Sequence, residues 1–293
     1  MQISANGIFL EYEEYGTRNA TPLILIRGLG TQLIHWPREF VSGFLEAGFR
    51  VIIFDNRGVG KSQRIQRDGV CSDAATILDR VEQGGEIVAP FALDDMARDV
   101  VGLMDALGIK QAHCFGISMG GAIMQALAID HADRLLSATF VMTSCRPLFS
   151  GPAGAALLSR ILVYPETLKQ YQDSHVAGDA LFGSPGYPTT EAALRAEAAI
   201  AYDRGADADG INSQALSIIH APDRRPGLRN VTLPSLIIHG VQDTLIPVDL
   251  GAEIAAHIPD SEFYAIEGMG HVITPLLSPQ IVEIVTGFIE RNA

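Results

Sequence analysis

The sequence has only three cysteines, Cys71, Cys114 and Cys145, an odd number at irregular spacing with no C-x-x-C pair. A disulfide framework and a cysteine-built zinc site are therefore not expected, and the thiols read as free in a reducing compartment. Positive charge is also scarce, with 21 Lys and Arg against 34 Asp and Glu and a net charge of −13. No basic cluster is dense enough for nucleic acid, and an acidic surface disfavours anionic membranes. Long apolar runs are missing as well. Met1 to Asn6 carries no basic n-region and leads into none, so neither a signal peptide nor a membrane span is expected. The expectation is a cytoplasmic protein with no stable membrane association and no nucleic-acid partner. Internal repeats and low-complexity segments are absent.

What is present is a core. Hydrophobic residues make up 47% of the 293 positions, enough for one large α/β domain with room for an inserted subdomain. Asn6-Gly7 is a turn dipeptide between short alternating runs and predicts an antiparallel hairpin at the start. Continuous apolar runs then recur at Pro22–Ile26, Arg50–Phe54, His113–Ile117, Ser137–Thr143, Leu236–His239 and Phe263–Ile266. Such runs suit strands buried on both faces of a parallel sheet. Helical periodicity separates them, at Glu39–Ala47, Phe91–Leu107, Ala122–Ile129, Leu250–His257 and Pro279–Glu290. The alternation predicts a mostly parallel eight-stranded sheet covered on both faces. It breaks between Arg146 and Arg229, where helical segments dominate. We divide the chain accordingly into a core of residues 1–145 and 230–293 and a helical cap of residues 146–229. Gln63–Pro90 is polar and irregular, longer than an ordinary β–α connection, and reads as either an excursion beside the active-site face or a mobile segment.

Ligands in such sheets bind beyond the carboxyl ends of the strands, so the loops there carry the functional argument. After His113–Ile117 stands Gly116-x-Ser118-x-Gly120, followed at once by a helical segment. Strand, sharp turn and helix with a serine at the apex make a nucleophile elbow, and glycines flank it because a Cβ there would strike neighbouring strands. A glycine-rich β–α turn is the plainer reading of the pattern taken alone. A serine hydroxyl needs a base, and the base an orienting acid. The loop after Leu236–His239 supplies Asp243, and the loop after Phe263–Ile266 supplies His271. Asp249 reads as an ordinary acidic residue in a first helical turn, and Asp55 as a loop-bonding carboxylate. Among the other histidines, His239 on its strand could line the pocket or serve the structure.

The loop after Pro22–Ile26 reads Arg27-Gly28-Leu29-Gly30. Its glycines let backbone approach a substrate, and we assign the oxyanion-hole donors to the N–H groups of Leu29 and Met119. Arg27, Gly28 and Trp36 are further candidates for substrate contact, and Phe149, Tyr164, Leu181 and Phe182 for cap walls. Gly58-Val59-Gly60-Lys61-Ser62 resembles a phosphate loop only in part, because Asp55 stands where a Walker A loop needs glycine. It reads instead as a charged loop holding neighbouring turns.

These motifs together resemble the α/β-hydrolases over essentially the whole chain, and bacterial carboxylesterases and aclacinomycin-type methylesterases in particular. Arg27 departs from the pattern, since many members carry His or Met there. The resemblance implies ester hydrolysis through an acyl-enzyme, with the helical insertion as a cap over the pocket and no cofactor or metal. The expected partner is a small, largely apolar ester, with a homodimer left open. Amidase, lactonase, C–C hydrolase and proline iminopeptidase activities share the same three residues, and a ligand receptor of this fold with little turnover is the alternative outside enzymology.

Overall fold

In the computed structural model, residues 1–65, 68, 70, 73–162, 165–205 and 208–293 are described. Eight strands form one sheet: β1 (Gln2–Ala5), β2 (Ile8–Tyr15), β3 (Pro22–Ile26), β4 (Arg50–Phe54), β5 (Ala112–Ile117), β6 (Leu135–Val141), β7 (Ser235–Gly240) and β8 (Glu262–Ile266). The spatial order is β1-β2-β4-β3-β5-β6-β7-β8. β1 and β2 form the antiparallel hairpin, with both turn residues Asn6 and Gly7 at positive φ, and β2 runs antiparallel to β4. Every later pairing is parallel.

The apolar runs are unbroken because both faces of these strands are covered. Ile24, Ile52 and Cys114 point to one side, into a cluster with α3 (Leu93–Ala106), α4 (Met119–Asp130) and Ile254 of α10 (Val248–His257). Leu23, Leu25, Val51, Ile53 and Phe115 point to the other, against α1 (Arg38–Glu46) and α11 (Ser278–Arg291). The two sets alternate along each strand, as a pleat requires. Helix α4 is buried from Met119 to Ala128, which explains why its sequence shows no amphipathic stripe.

Regular structure appears between residues 63 and 90, where the sequence reads as irregular. That stretch holds a ten-residue helix, α2 (Ala74–Gln83), capped by the Asp73 side chain at its start and by left-handed Gly84 at its end. Ile77 and Val81, one turn apart, are its buried contacts. Ala74, Ile77, Leu78 and Val81 recur at helical spacing and pack into one cluster, and the cap residues Asp73 and Gly84 are ordinary helix punctuation, but the polar sequence on either side dominates the stretch. Between β6 and β7 the described residues form five helices and no strand: α5 (Gly151–Ser159), α6 (Leu168–Phe182), α7 (Glu191–Asp203), α8 (Ala208–His220) and α9 (Arg225–Leu228). Arg204 at the end of α7 reaches the core and pairs with buried Asp55 at 2.7 Å. Asp55 also accepts from the N–H groups of Leu33 and Lys61, at 2.7 and 2.9 Å, so the loop after β4 does hold its neighbours together. No helix among the described residues is long and apolar enough to cross a membrane.

Candidate active site

Ser118 sits between the end of β5 and the first residue of α4 with φ 53° and ψ −117°. Few side chains adopt that conformation, and it persists only where the surroundings enforce it. Here the Ser118 N–H donates to the Val141 carbonyl at 2.9 Å, and Thr143 Oγ1 donates to the Ser118 carbonyl at 2.8 Å. The flanking glycines are sterically required. A Cβ on Gly116 would lie 2.2 Å from the Gly120 carbonyl oxygen, and one on Gly120 would lie 2.2 Å from that of Ile26.

The structure brings Ser118, His271 and Asp243 together from three loops. His271 Nε2 lies 3.0 Å from Ser118 Oγ, and His271 Nδ1 lies 2.7 Å from Asp243 Oδ2. Asp243 is buried, and its Oδ1 accepts from the N–H groups of Leu245 and Ile246 at 2.9 and 2.8 Å. Burial alone would raise its pKa, but His271, His239 and the Ile246 N–H outweigh burial and hold it well below the usual carboxylate range. The carboxylate therefore stays ionised and orients the imidazole.

Leu29, Ser118, Met119 and His271 share a cavity of about 150 Å³ whose walls are mostly apolar. Gly28 lets the loop after β3 come close: a Cβ there would lie 3.1 Å from the Ser118 Cβ. Arg27 lines this cavity too, and its guanidinium packs 4.7 Å over the Trp36 ring while donating to Thr31 Oγ1 and the His35 carbonyl. Burial pulls its pKa down to about 10. Phe149 borders the same space.

A second, more polar cavity of about 300 Å³ adjoins the first and shares Leu29, Thr31, Ile161 and His271 with it. Phe182 lines this one. Three expected contacts fall elsewhere. Trp36 is buried against Phe40 and Phe115 and borders neither cavity. His239 is fully buried behind Asp243, with Nε2 2.8 Å from the Ile246 carbonyl and 3.5 Å from Asp243 Oδ2. It supports the acid rather than the pocket. Leu181 is exposed and borders neither space, while Tyr164 and Cys71 lie outside the described residues.

Some supporting residues carry no sequence signal. Gln214 of α8 accepts from the Gly30 N–H at 2.9 Å and donates to the Arg57 carbonyl at 2.7 Å, fixing the loop that carries Leu29. Ser184 accepts from the Gly270 N–H and bonds the Val272 carbonyl, bracketing His271. Among the described residues one group has metal-ligand chemistry: His35, His175 and Glu197, with one ligand atom from each lying within 4.8 Å of the others. In the structure His175 Nε2 bonds Glu197 at 3.1 Å and His35 Nδ1 lies against the backbone of Gln32.

Comparison with known proteins agrees with this architecture. Residues 21–274 match the family model described as the alpha/beta hydrolase fold. The rhodomycin D methylesterase of Streptomyces peucetius is 26% identical over 291 aligned residues, covering 92% of this chain and 91% of the relative. A 3-oxoadipate enol-lactonase of Acinetobacter baylyi is 27% identical, covering 90% of this chain and 87% of its own length. The crystal structure of an enol-lactonase from Burkholderia xenovorans superposes with a TM-score of 0.78 at 26% identity, covering 99% of this chain and all of that one.

Proposed function

Because the chain belongs to the alpha/beta hydrolase fold family, we propose that it is a serine hydrolase that cleaves carboxylic esters of small, largely apolar substrates. The observation carrying this reading is the relay from Ser118 Oγ to His271 to Asp243, at 3.0 and 2.7 Å, opening into a mostly apolar cavity. We read residues 146–229 as the cap over that cavity.

His271 Nε2 takes the Ser118 proton as Oγ attacks the ester carbonyl. The charge on His271 develops beside the ionised Asp243, which stabilises it. The carbonyl oxygen becomes an oxyanion facing the N–H groups of Leu29 and Met119. Met119 is the first residue of α4, so its N–H has no acceptor within the helix, and the helix dipole favours negative charge there. His271 returns its proton to the leaving oxygen, the ester C–O bond breaks, and the acyl group remains on Ser118. Water activated by His271 then releases the acid. A lactone is an ester closed on itself and follows the same steps.

Turnover of p-nitrophenyl butyrate by the wild-type protein and by Ser118→Ala tests the proposal. The wild type should hydrolyse it, and the variant should lose that activity by about 10⁴-fold or more. Equal rates in the two proteins would refute the esterase reading.

A further inference from the structure

The two adjoining cavities differ in chemistry, and His271 borders both. Ser118 and Met119 border only the apolar one. The acyl carbon bonded to Ser118, with its oxygen toward Met119, therefore keeps its chain on the apolar side. The leaving oxygen must face His271, which protonates it, and His271 is also where the polar cavity begins.

The polar cavity carries carboxylate acceptors with unused capacity. Among the described residues, the Asp179 carboxylate accepts no hydrogen bond, and Glu197 is engaged only through Oε1, by His175 at 3.1 Å. Tyr171 and Ser174 add hydroxyls. Acceptors facing a cavity want donors from whatever fills it. Asp179 and Glu197 can each accept from a hydroxyl placed in this cavity.

Resting on the esterase reading above, we propose that the cavity lined by Tyr171, His175, Asp179 and Glu197 is the leaving-group subsite, and that it selects esters of hydroxyl-bearing alcohols such as glycerol. The step balances without a further reactant. The Ser118 Oγ–acyl bond forms and the acyl–oxygen bond to the alcohol breaks. The proton first taken from Ser118 passes from His271 Nε2 to the departing oxygen. The alcohol's free hydroxyls meanwhile donate to Glu197 and Asp179.

Glyceryl 1-monobutyrate and n-propyl butyrate share an acyl chain and a carbon skeleton and differ by two hydroxyls. The ratio of their kcat/KM values reads the subsite directly. In the wild type the ratio should favour the glyceryl ester by about tenfold or more, the effect of hydrogen bonds to charged acceptors. Glu197→Gln should reduce the ratio by about tenfold, and Asp179→Asn should reduce it in the same direction. Because the ratio is taken within each protein, loss of overall activity does not mimic the effect. A wild-type ratio near one, or a ratio unmoved by both substitutions while p-nitrophenyl butyrate is still hydrolysed, overturns the subsite alone. Failure to hydrolyse any of the three esters overturns the esterase reading and the subsite with it.

Discussion

The Nδ1 of His271 lies 2.7 Å from Oδ2 of Asp243, and the other oxygen of that carboxylate is closed by the N–H groups of Leu245 and Ile246. The carboxylate is thus held in one orientation, with Oδ2 turned to the His271 imidazole. Asp243→Asn preserves the shape but offers an amide where His271 needs an acceptor. It should lower kcat on p-nitrophenyl butyrate by about 10³- to 10⁴-fold with little change in circular dichroism.

Gln214 joins the candidate oxyanion loop to α8 through Gly30 and Arg57, and it is fully buried. Gln214→Ala leaves two backbone groups without partners. Urea melts should show a loss of about 1–3 kcal/mol. If Leu29 donates to the oxyanion, kcat should also fall by about tenfold or more as the loop drifts, with KM less affected.

Gly120 packs on the backbone of β3, where a Cβ would stand 2.2 Å from the Ile26 carbonyl oxygen. Backbone on both sides leaves nothing to rotate away. Gly120→Ala should cost about 3 kcal/mol or more in urea unfolding. Gly7→Ala, where a Cβ would meet nothing within 4 Å but φ is +77°, should cost about 1 kcal/mol from backbone strain alone.

Burial of His35 pulls its pKa from the ordinary 6.5 down to about 4, and His113 is lowered by the same cause to about 4. Between those values the unfolded chain binds protons that the folded chain refuses, so stability falls as pH drops from 6.5 toward 4. For fully buried His35 the loss is on the order of 3 kcal/mol. Urea melts at pH 7 and pH 4.5 should show the decline, and His35→Gln should make it shallower by about one proton while His113 keeps the rest.

The sheet was legible in the sequence because parallel strands buried on both faces need continuous apolar runs, and each run from Pro22–Ile26 onward is a strand. The placement of Ser118, Asp243 and His271 was legible for a related reason: each stands in a loop just beyond a strand's carboxyl end, and the sheet gathers those loops. Trp36 and His239 show where such reading stops. His239 lies at the end of β7 and Trp36 just before α1, yet their side chains point into packed structure, and sequence spacing does not carry side-chain direction. Gln214, Asp179 and Glu197 gave no signal, because a polar residue on a helix reads as solvated until the helix is seen packed across a cavity. Helix α2 is masked by its flanks: Ala74, Ile77, Leu78 and Val81 share a packed helical face, but the stretch from Gln63 to Pro90 reads as polar when taken whole.

Ester hydrolysis by this site requires Ser118 to be an activated nucleophile. A fluorophosphonate probe followed by peptide mass spectrometry tests it most directly. One equivalent of label should appear on the peptide containing Ser118, and none after His271→Ala under the same exposure. Label on another residue, or no label on the wild-type protein, would rule out Ser118 as the nucleophile.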